Sequence, residues 1–246
     1  MIAALLLGRK GSTGLPGKNL LDLRGHPLAW YPMTAAAKAP SIDRAYLSTN
    51  DEQLVALAQT VGLEIIERPA HLCTADALGE DAFRHGYDVI CQRAPTPPEI
   101  MVLMFCNAPN ITSATIETAI QTLRAHPDYD SVVTVSRFNM FSPVRARRIN
   151  AAGCLEPFVA LDKLGVNAIN CDRNCQGDVW FTDCGVTVVW SRVLLDMAHG
   201  QLPQRWMGQR IYALKQDGGM DVDAAWQVPV LAWWLEQFGD QQPGAR

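Results

Sequence analysis

Short apolar runs alternate with amphipathic segments along most of this chain, and the alternation restricts the fold more than any other feature. A short apolar run bounded by turn residues is typical of a strand buried on both faces, whereas apolar residues at helical spacing indicate a helix that covers a sheet. Strands and helices that alternate in this way form a mostly parallel sheet with helices on its faces. The sequence therefore predicts an α/β fold of the Rossmann-like type.

The predicted elements follow directly from this pattern. Strands are predicted at 2–7, 44–50, 63–69, 99–109, 130–137, 179–190 and 209–216. Helices are predicted at 26–39, 51–62, 79–93, 112–126, 191–200 and 224–239. Acids at the start of one helix and a glycine at its end, in DEQLVALAQTVG, support these boundaries.

The segment from 138 to 178 breaks the pattern. Proline, asparagine, cysteine, arginine and glycine are scattered there without periodicity, which indicates irregular backbone. We predict that 138–178 is a small lobe inserted into a single domain that comprises residues 1–246. A chain of this length buries a core without help from disulfides or a structural metal.

Composition and charge argue against several classes of protein. The net charge of −4 does not favour binding to nucleic acid, and no run approaches the ~20 apolar residues of a membrane span. The apolar start, 2–7, has its cations after it, so we interpret it as a buried strand and not as a signal peptide. Cys171, Cys175 and Cys184 lack the partners of a zinc site, and the cysteines fit reduced thiols of a cytoplasmic protein.

A glycine-rich loop, GRKGSTGLPGKN at 8–19, follows the first predicted strand. Glycines let backbone amides approach a ligand closely, and Arg9 and Lys18 add positive charge suited to phosphate oxygens. Further hydrogen-bonding side chains in this loop are Ser12, Thr13 and Asn19. Ligands of open α/β sheets bind beyond the carboxyl ends of the strands, where this loop lies. The pattern is neither a P-loop nor a dinucleotide fingerprint, and a solvated turn is the alternative interpretation.

Two acids separated by one residue, Asp221 and Asp223, precede the last predicted helix. Alternate side chains on extended backbone point the same way, so both carboxylates can share a cation. Magnesium suits such a pair because it prefers oxygen ligands and bridges to substrate phosphates. The alternative is a turn in which Asp223 caps the final helix.

Three motifs, in sequence order, resemble those of the acylneuraminate cytidylyltransferases (CMP-sialic acid synthetases). The loop 8–19 is similar to their R-x-G-S-x-G-x-P-x-K-N signature, LSTN and RPAHL follow as in that family, and GGMDVDAAW resembles its D-[IV]-D metal motif. The similarity is good over 1–80, fair over 99–137 and 179–235, and poor over 138–178. It implies a nucleotidyltransferase fold, CTP as substrate, Mg²⁺ as cofactor, and a homodimer formed through the lobe.

The resemblance also implies catalytic roles. By motif position, Arg9 and Lys18 bind the phosphates and stabilise the leaving group, and Asp221 joins them as a catalytic residue. Asp221 and Asp223 are implied as the magnesium ligands. The family often has a further aspartate four positions after the second of these acids, where this chain has Gln227.

A larger set of residues is implied to bind the nucleotide. By motif position these are Arg9, Ser12, Thr13, Lys18, Asn19, Arg68 and Asp76. Thr13 stands where the sialate enzymes commonly have lysine, and Asp76 lies in a segment that matches the family loosely. An ordinary salt bridge at the end of a strand is the alternative role for Arg68.

The acceptor side departs most from the family. The sialate enzymes carry Q-P-T-S-P-L after the central strand, and their glutamine contacts the sugar. Here the stretch is FCNAPNI, with Phe105 at the glutamine position and Asn107 at the threonine position. Arg145 and Asp183 are further candidates for binding the acceptor, with a solvated cationic patch and a turn-stabilising aspartate as their respective alternatives. The Q-G-D-E-P stretch of the related 3-deoxy-octulosonate enzymes is absent.

Together these features predict transfer of CMP from CTP to a small acidic acceptor, with release of pyrophosphate. A nonulosonic acid of the sialic, legionaminic or pseudaminic type leads as the acceptor. A small phosphonate, or another sugar acid or phosphate, is the second candidate because the acceptor motifs differ. A metal-dependent glycosyltransferase is an alternative of another class, but its acid pair usually follows a central strand, and the cationic loop here suits a triphosphate better than a sugar nucleotide. A catalytically silent binding protein is a third alternative, against which the intact Arg9, Lys18, Asp221 and Asp223 argue.

Overall fold

The computed structural model describes residues 1–11, 14–160, 170, 172 and 176–239. The strands are β1 (Ile2–Leu7), β2 (Asp22–Leu23), β3 (His26–Pro27), β4 (Arg44–Thr49), β5 (Glu64–Glu67), β6 (Ile100–Phe105), β7 (Ser131–Arg137), β8 (Arg147–Ile149), β9 (Leu155–Pro157), β10 (Trp180–Trp190) and β11 (Ile211–Gln216). The α-helices are α1 (Trp30–Lys38), α2 (Glu52–Val61), α3 (Gly79–Arg93), α4 (Ser113–Ala125), α5 (Ser191–Leu195) and α6 (Gln227–Phe238).

Seven strands form one sheet in the order β11-β7-β10-β6-β1-β4-β5. The pairs β1–β4, β4–β5, β1–β6 and β7–β11 are parallel. Strand β10 is antiparallel to both of its neighbours, β6 and β7, so the other six strands run in one direction. The predicted α/β fold with a mostly parallel sheet is confirmed.

Helices cover both faces of the sheet, which explains why β1 is apolar along its whole length. Every residue of β1 is buried. Ala4 and Leu6 pack into the layer formed with α1, α2 and α4, whereas Leu5 packs into the layer formed with α3 and α5. A β-carbon at Gly86 of α3 would collide with the Leu5 side chain. Glycine there lets α3 lie close to the central strand, beside the end that carries the glycine-rich loop.

The local signals at the helix ends act as the sequence predicts. The Asp51 carboxylate accepts from Gln53 N at 3.0 Å and caps α2, and Gly62 ends that helix with φ 89°. Thr112 Oγ1 caps α4 by accepting from Thr115 N at 3.1 Å. Helix α3 has the predicted bounds. The predicted helix 26–39 starts later because its first two residues pair antiparallel with β2.

The described residues between β7 and β10, which are 138–160, 170, 172 and 176–179, lie outside the seven-stranded sheet. That 138–178 forms an inserted lobe stays a prediction. The described part of this segment contains the two-stranded antiparallel hairpin β8–β9. Several of its apolar side chains are exposed, namely Met140, Phe141, Ile149, Leu155 and Phe158. Dimerisation through this lobe stays a prediction. No helix in the described ranges is both long enough and apolar enough to cross a membrane.

Candidate active site

A cavity of about 180 Å³ opens at the carboxyl ends of β1 and β6. These strands are neighbours and parallel, so the segments that follow them meet at one edge of the sheet. Gly8 and Arg9 follow β1, and Asn107 follows β6. The polar residues that line the cavity are Arg9, Lys18, Asn19, Arg68 and Asn107.

Arg68 provides a buried positive charge at this cavity. It is 6% exposed, and its guanidinium donates to Ser48 Oγ at 3.1 Å and to Ser48 O at 2.5 Å. Burial lowers the pKa of Arg68 below its ordinary value, and the charge of Arg9 adds to this effect. No carboxylate in the described ranges forms an ion pair with Arg68, which disfavours the simple salt-bridge alternative. The guanidinium is therefore available to an anion in the cavity.

The glycine-rich loop meets the acid pair beside this cavity, whose lining includes Lys18 but neither Asp221 nor Asp223. Lys18 Nζ lies 2.5 Å from Asp223 Oδ1, across 205 residues of sequence. A β-carbon at Gly14 would lie 3.1 Å from the backbone oxygen of Asp223, so the loop backbone also approaches the acids closely. The structure thus brings the predicted loop cation Lys18 into contact with the predicted acid Asp223, while Arg9 lines the same cavity as Lys18. Asp223 pairs with Lys18 and does not cap α6, whose first turn has no side-chain cap.

Asp221 is the more enclosed of the two acids. Burial, followed by the charge of Asp223, raises the pKa of Asp221, while Lys18 and a hydrogen bond from Asn107 oppose the shift. Asn107 Nδ2 donates to Asp221 Oδ2 at 3.3 Å and to Val222 O at 3.2 Å. Asn107 thus connects the end of β6 to the acids. The raised pKa is the expected result of a carboxylate held close to a second one in partial shelter from water.

Gln227 fixes the backbone between the two acids, a role that the sequence analysis did not identify. Its Oε1 accepts from Asp223 N and Ala224 N, each at 2.7 Å, and its Nε2 donates to Asp221 O at 2.9 Å. A further clamp is Asn110, whose Nδ2 donates to Gly218 O at 3.2 Å. Both residues are neutral amides, which a search for charged ligands passes over.

The donor set of the acid pair fits magnesium. Asp221 and Asp223 supply carboxylate oxygens, and Mg²⁺ usually takes one or two carboxylates together with substrate phosphates and water. Within the described ranges, no cluster of three or more histidine, cysteine, aspartate or glutamate side chains forms an all-protein metal site. The pair is therefore suited to a metal that the substrate helps to hold, and less suited to a structural metal.

The rest of the cavity lining is mostly apolar. Its apolar residues include Leu72, Ala77, Leu78, Ala82 and Phe105. The Phe105 ring lies edge-on to Phe83 at 5.4 Å and to Trp206 at 6.2 Å between centroids. An apolar wall beside the buried Arg68 and the half-buried Arg9 and Lys18 can hold the base and the phosphates of one nucleotide.

The remaining predicted residues lie in several places. Asn19 is buried and lines the cavity, whereas Asp76 is exposed and is not part of the lining. Arg145 is exposed within the lobe. Asp183 is 3% exposed and accepts hydrogen bonds from four groups of the sheet, outside the cavity. Outside the described residues lie Ser12, Thr13, Cys171 and Cys175.

Comparisons with known proteins show similarity to cytidylyltransferases. The family model described as cytidylyltransferase matches residues 3–150. The chain is 29% identical over 143 residues to an N-acylneuraminate cytidylyltransferase of Escherichia coli O18:K1:H7, covering 58% of this chain and 33% of that protein. It is 24% identical over 240 residues to the N-acylneuraminate cytidylyltransferase of Oncorhynchus mykiss, covering 97% of this chain and 51% of that protein. The chain thus spans a third to a half of these curated relatives.

A solved structure has the same fold. It is that of a CMP:2-keto-3-deoxy-manno-octonic acid synthetase complexed with CTP, and it aligns with a TM-score of 0.67 over 96% of this chain and 98% of the other. The two sequences are 17% identical, so this likeness concerns the fold alone.

Proposed function

The chain belongs to the cytidylyltransferase family, and from this premise we propose that it transfers CMP from CTP to an acidic sugar. The proposed acceptor is a nonulosonic acid of the sialic, legionaminic or pseudaminic type, and the second product is pyrophosphate. The supporting observation is the meeting of the glycine-rich loop and the acid pair, with Lys18 Nζ 2.5 Å from Asp223 Oδ1 beside a cavity that Arg9 and Arg68 also line.

The cations act where negative charge accumulates. An oxygen of the acceptor attacks the α-phosphorus of CTP, the bond to the β-phosphate oxygen breaks, and charge develops on the departing pyrophosphate. Arg9 and Lys18 stabilise that charge, and Arg68 adds a third positive charge from its buried position. Fixed cations lower the barrier because they need no reorganisation as the reaction proceeds. Ser12, Thr13 and Asn19 are proposed to donate further hydrogen bonds to the nucleotide. Asp76, which is exposed and directly precedes Ala77 of the cavity lining, is a further nucleotide-binding candidate.

Asp221 and Asp223 are the proposed magnesium ligands. When bound, Mg²⁺ would neutralise phosphate charge and acidify the attacking hydroxyl. Asn107 holds the side chain of Asp221 in place. Gln227 holds the backbone of both acids.

The acceptor is proposed to lie against Asn107 and Phe105, both of which line the cavity, with Arg145 contributing from the lobe. Nonulosonic acids lead because the two curated relatives named above are N-acylneuraminate enzymes. A phosphonate or another sugar acid or phosphate is the second candidate, supported by Phe105, which presents an aromatic ring where the sialate enzymes have glutamine.

A pyrophosphate-release assay tests the activity. Four nucleoside triphosphates are each combined with a panel of nonulosonic acids, 3-deoxy-octulosonate and small phosphonates in the presence of Mg²⁺. We expect turnover with CTP and at least one nonulosonic acid. Turnover with a different nucleotide alone would contradict the cytidylyl assignment, and turnover with phosphonates alone would replace the leading acceptor by the second.

We also propose that the protein is a homodimer that associates through the lobe. Exposed apolar side chains are concentrated there, with Ile149 74% and Leu155 71% exposed on the two strands of the hairpin, and clusters of this kind are typical of protein interfaces. Ile149→Asp should convert the dimer to a monomer in light scattering coupled to size exclusion. Leu195→Asp, at another exposed apolar position, is the matched control and should remain dimeric.

A cytoplasmic location is proposed as well. The cysteines at 73, 91, 106, 154 and 184 are free thiols, which is the usual state in a reducing compartment. Fractionation of the native host cell tests this proposal, with recovery in an oxidising compartment as the contrary result.

A further inference from the structure

A buried carboxylate lies in the sheet next to the acids but outside the cavity. Asp183 is 3% exposed and makes no ion pair with any cation in the described ranges. Its two oxygens accept four hydrogen bonds. The donors are Thr134 Oγ1 at 2.6 Å, Ser136 Oγ at 2.8 Å, Gln216 Nε2 at 2.8 Å and Gly185 N at 3.1 Å. A buried carboxylate with this many donors is satisfied by its surroundings and retains little capacity for a ligand.

An irregularity in β10 brings Asp183 to this position. Regular pairing with β7 stops at Thr182, opposite Val135, and resumes at Thr187, opposite Val133. Residues 183–186 therefore face a single residue of β7. Cys184, within this bulge, has a φ of 59°, a backbone conformation that non-glycine residues seldom adopt. Bulges of this kind redirect side chains, often next to active sites.

The same network holds the loop that carries the acid pair, which we name the acid loop (residues 217–223). Gly219 N donates to Ser136 Oγ at 2.8 Å, and Ser136 Oγ in turn donates to Asp183. A β-carbon at Gly219 would collide with Oδ2 of Asp183. The backbone of the loop is therefore in contact with the buried carboxylate, two residues before Asp221.

From this contact we propose that Asp183 is a positioning residue for the metal ligands and is not an acceptor ligand. It fixes the base of the acid loop on the sheet, while the Asn107 and Asn110 side chains hold the loop from the β6 side. The inference rests on the proposed function, because the site it concerns is the proposed magnesium site. It adds a residue whose own atoms touch neither the cavity nor the acids.

Metal binding measured without turnover tests the inference. Asp183→Asn keeps the shape of the side chain. It replaces one of the two accepting oxygens by an NH₂ group, which is a donor and so faces the groups that donate to Asp183 in the unmodified protein. Mn²⁺ binding is followed by electron paramagnetic resonance with saturating CTP and no acceptor, and CTP binding is measured separately in EDTA. We expect Asp183→Asn to raise the Kd for Mn²⁺ about ten-fold, the lower limit for loss of a residue that contacts a metal ligand directly, because Asp183 acts on the two acids only through the acid loop. The Kd for CTP in EDTA should be unchanged.

Asp130 supplies the matched control. It ties β7 to β11 at the other end of the same strands, where its Oδ2 accepts from Gln209 N at 2.9 Å and from Arg210 N at 3.0 Å. Asp130→Asn should lower the melting temperature and leave Mn²⁺ affinity unchanged. Equal losses of Mn²⁺ affinity in the two variants would show a general stability effect and overturn the inference.

Gly219→Ala extends the test in case Asp183→Asn does not fold. Its methyl group pushes the acid loop away from Asp183 without removing any charge, so Mn²⁺ affinity should again fall. Unchanged Mn²⁺ affinity in a folded Asp183→Asn or Gly219→Ala variant would overturn the inference while leaving the proposed function intact. Absence of Mn²⁺ binding by the unmodified protein would overturn both.

Discussion

The two loops that meet at the cavity are held by different means. The acid loop is clamped from three sides by side chains of the sheet, of the β6 turn and of α6, through Ser136, Asn107, Asn110 and Gln227. In the described part of the glycine-rich loop, the side-chain bonds of the cations are one from Arg9 to the local backbone and one from Lys18 to Asp223. The acids are thus positioned in advance, and Lys18 depends on them for its position.

This difference predicts that changes to the two loops have different signatures. Damage to the acid loop should alter the metal requirement, because the loop is built around the proposed ligands. Damage to the glycine-rich loop should alter the use of CTP.

The largest effect is expected for Asp221→Asn. The amide keeps the hydrogen bond with Asn107 but lacks the charge that a divalent cation needs, so kcat should fall about 1000-fold. Steady-state kinetics with CTP and the best acceptor measure the loss, and circular dichroism checks that the fold is intact. Near-normal turnover would remove Asp221 from the proposed metal site.

The second largest effect is expected for Lys18→Met. Its kcat/KM for CTP should be about 100-fold lower because a cation that contacts the phosphates is lost. Lys10→Met is the matched control in the same loop. Lys10 is exposed and does not line the cavity, so its variant should keep the activity of the unmodified protein. Equal losses in the two variants would point to overall charge and not to a specific contact.

Gln227→Ala tests the clamp on the acid loop. Removing the amide frees the backbone of Asp221 and Asp223, and we expect the Mg²⁺ concentration for half-maximal rate to rise about ten-fold. Gln227→Glu retains the oxygen that accepts from Asp223 N and Ala224 N, so it should recover part of the loss. A change in the KM for CTP alone, at saturating Mg²⁺, would contradict the assigned role.

The smallest effect concerns stability without metal. Because burial and the charge of Asp223 raise the pKa of Asp221, ionised Asp221 opposes folding at pH values above that raised pKa, and the cost disappears as the pH falls through it. In EDTA at pH 7, Asp221→Asn should therefore melt at a slightly higher temperature than the unmodified protein, and the difference should vanish in acid. Equal melting temperatures at pH 7 would show that the ionised Asp221 carboxylate costs the fold nothing.

The sequence predicted the sheet because strands and helix ends depend on patterns within short stretches. Buried strands such as β1 are continuous apolar runs, and helix caps such as Asp51 and Gly62 lie next to the elements they bound. The position of Arg9 and Lys18 then follows from the rule that ligands bind at the carboxyl ends of the strands. The acid pair was linked to the same site by the resemblance to the cytidylyltransferases.

The environment of Asp183 could not be predicted in the same way. It depends on the register shift in β10, which brings together residues of three strands that are far apart in sequence. Side-chain period alone places a residue on one face of a regular strand and does not reveal a bulge. Gln227 was missed for a related reason, since its partners are backbone atoms whose positions exist only after folding.

The ion pair between Lys18 and Asp223 gives the proposed enzyme a means of discriminating against CTP that carries no divalent cation. If CTP without a metal draws Lys18 toward its phosphates, Asp223 loses its counter-charge and is left beside the negative charge of the phosphates. A nucleotide that arrives with its own divalent ion leaves both side chains satisfied. Lys18 therefore neutralises Asp223 until a divalent cation replaces it. CTP without a divalent cation should bind more weakly than CTP with one.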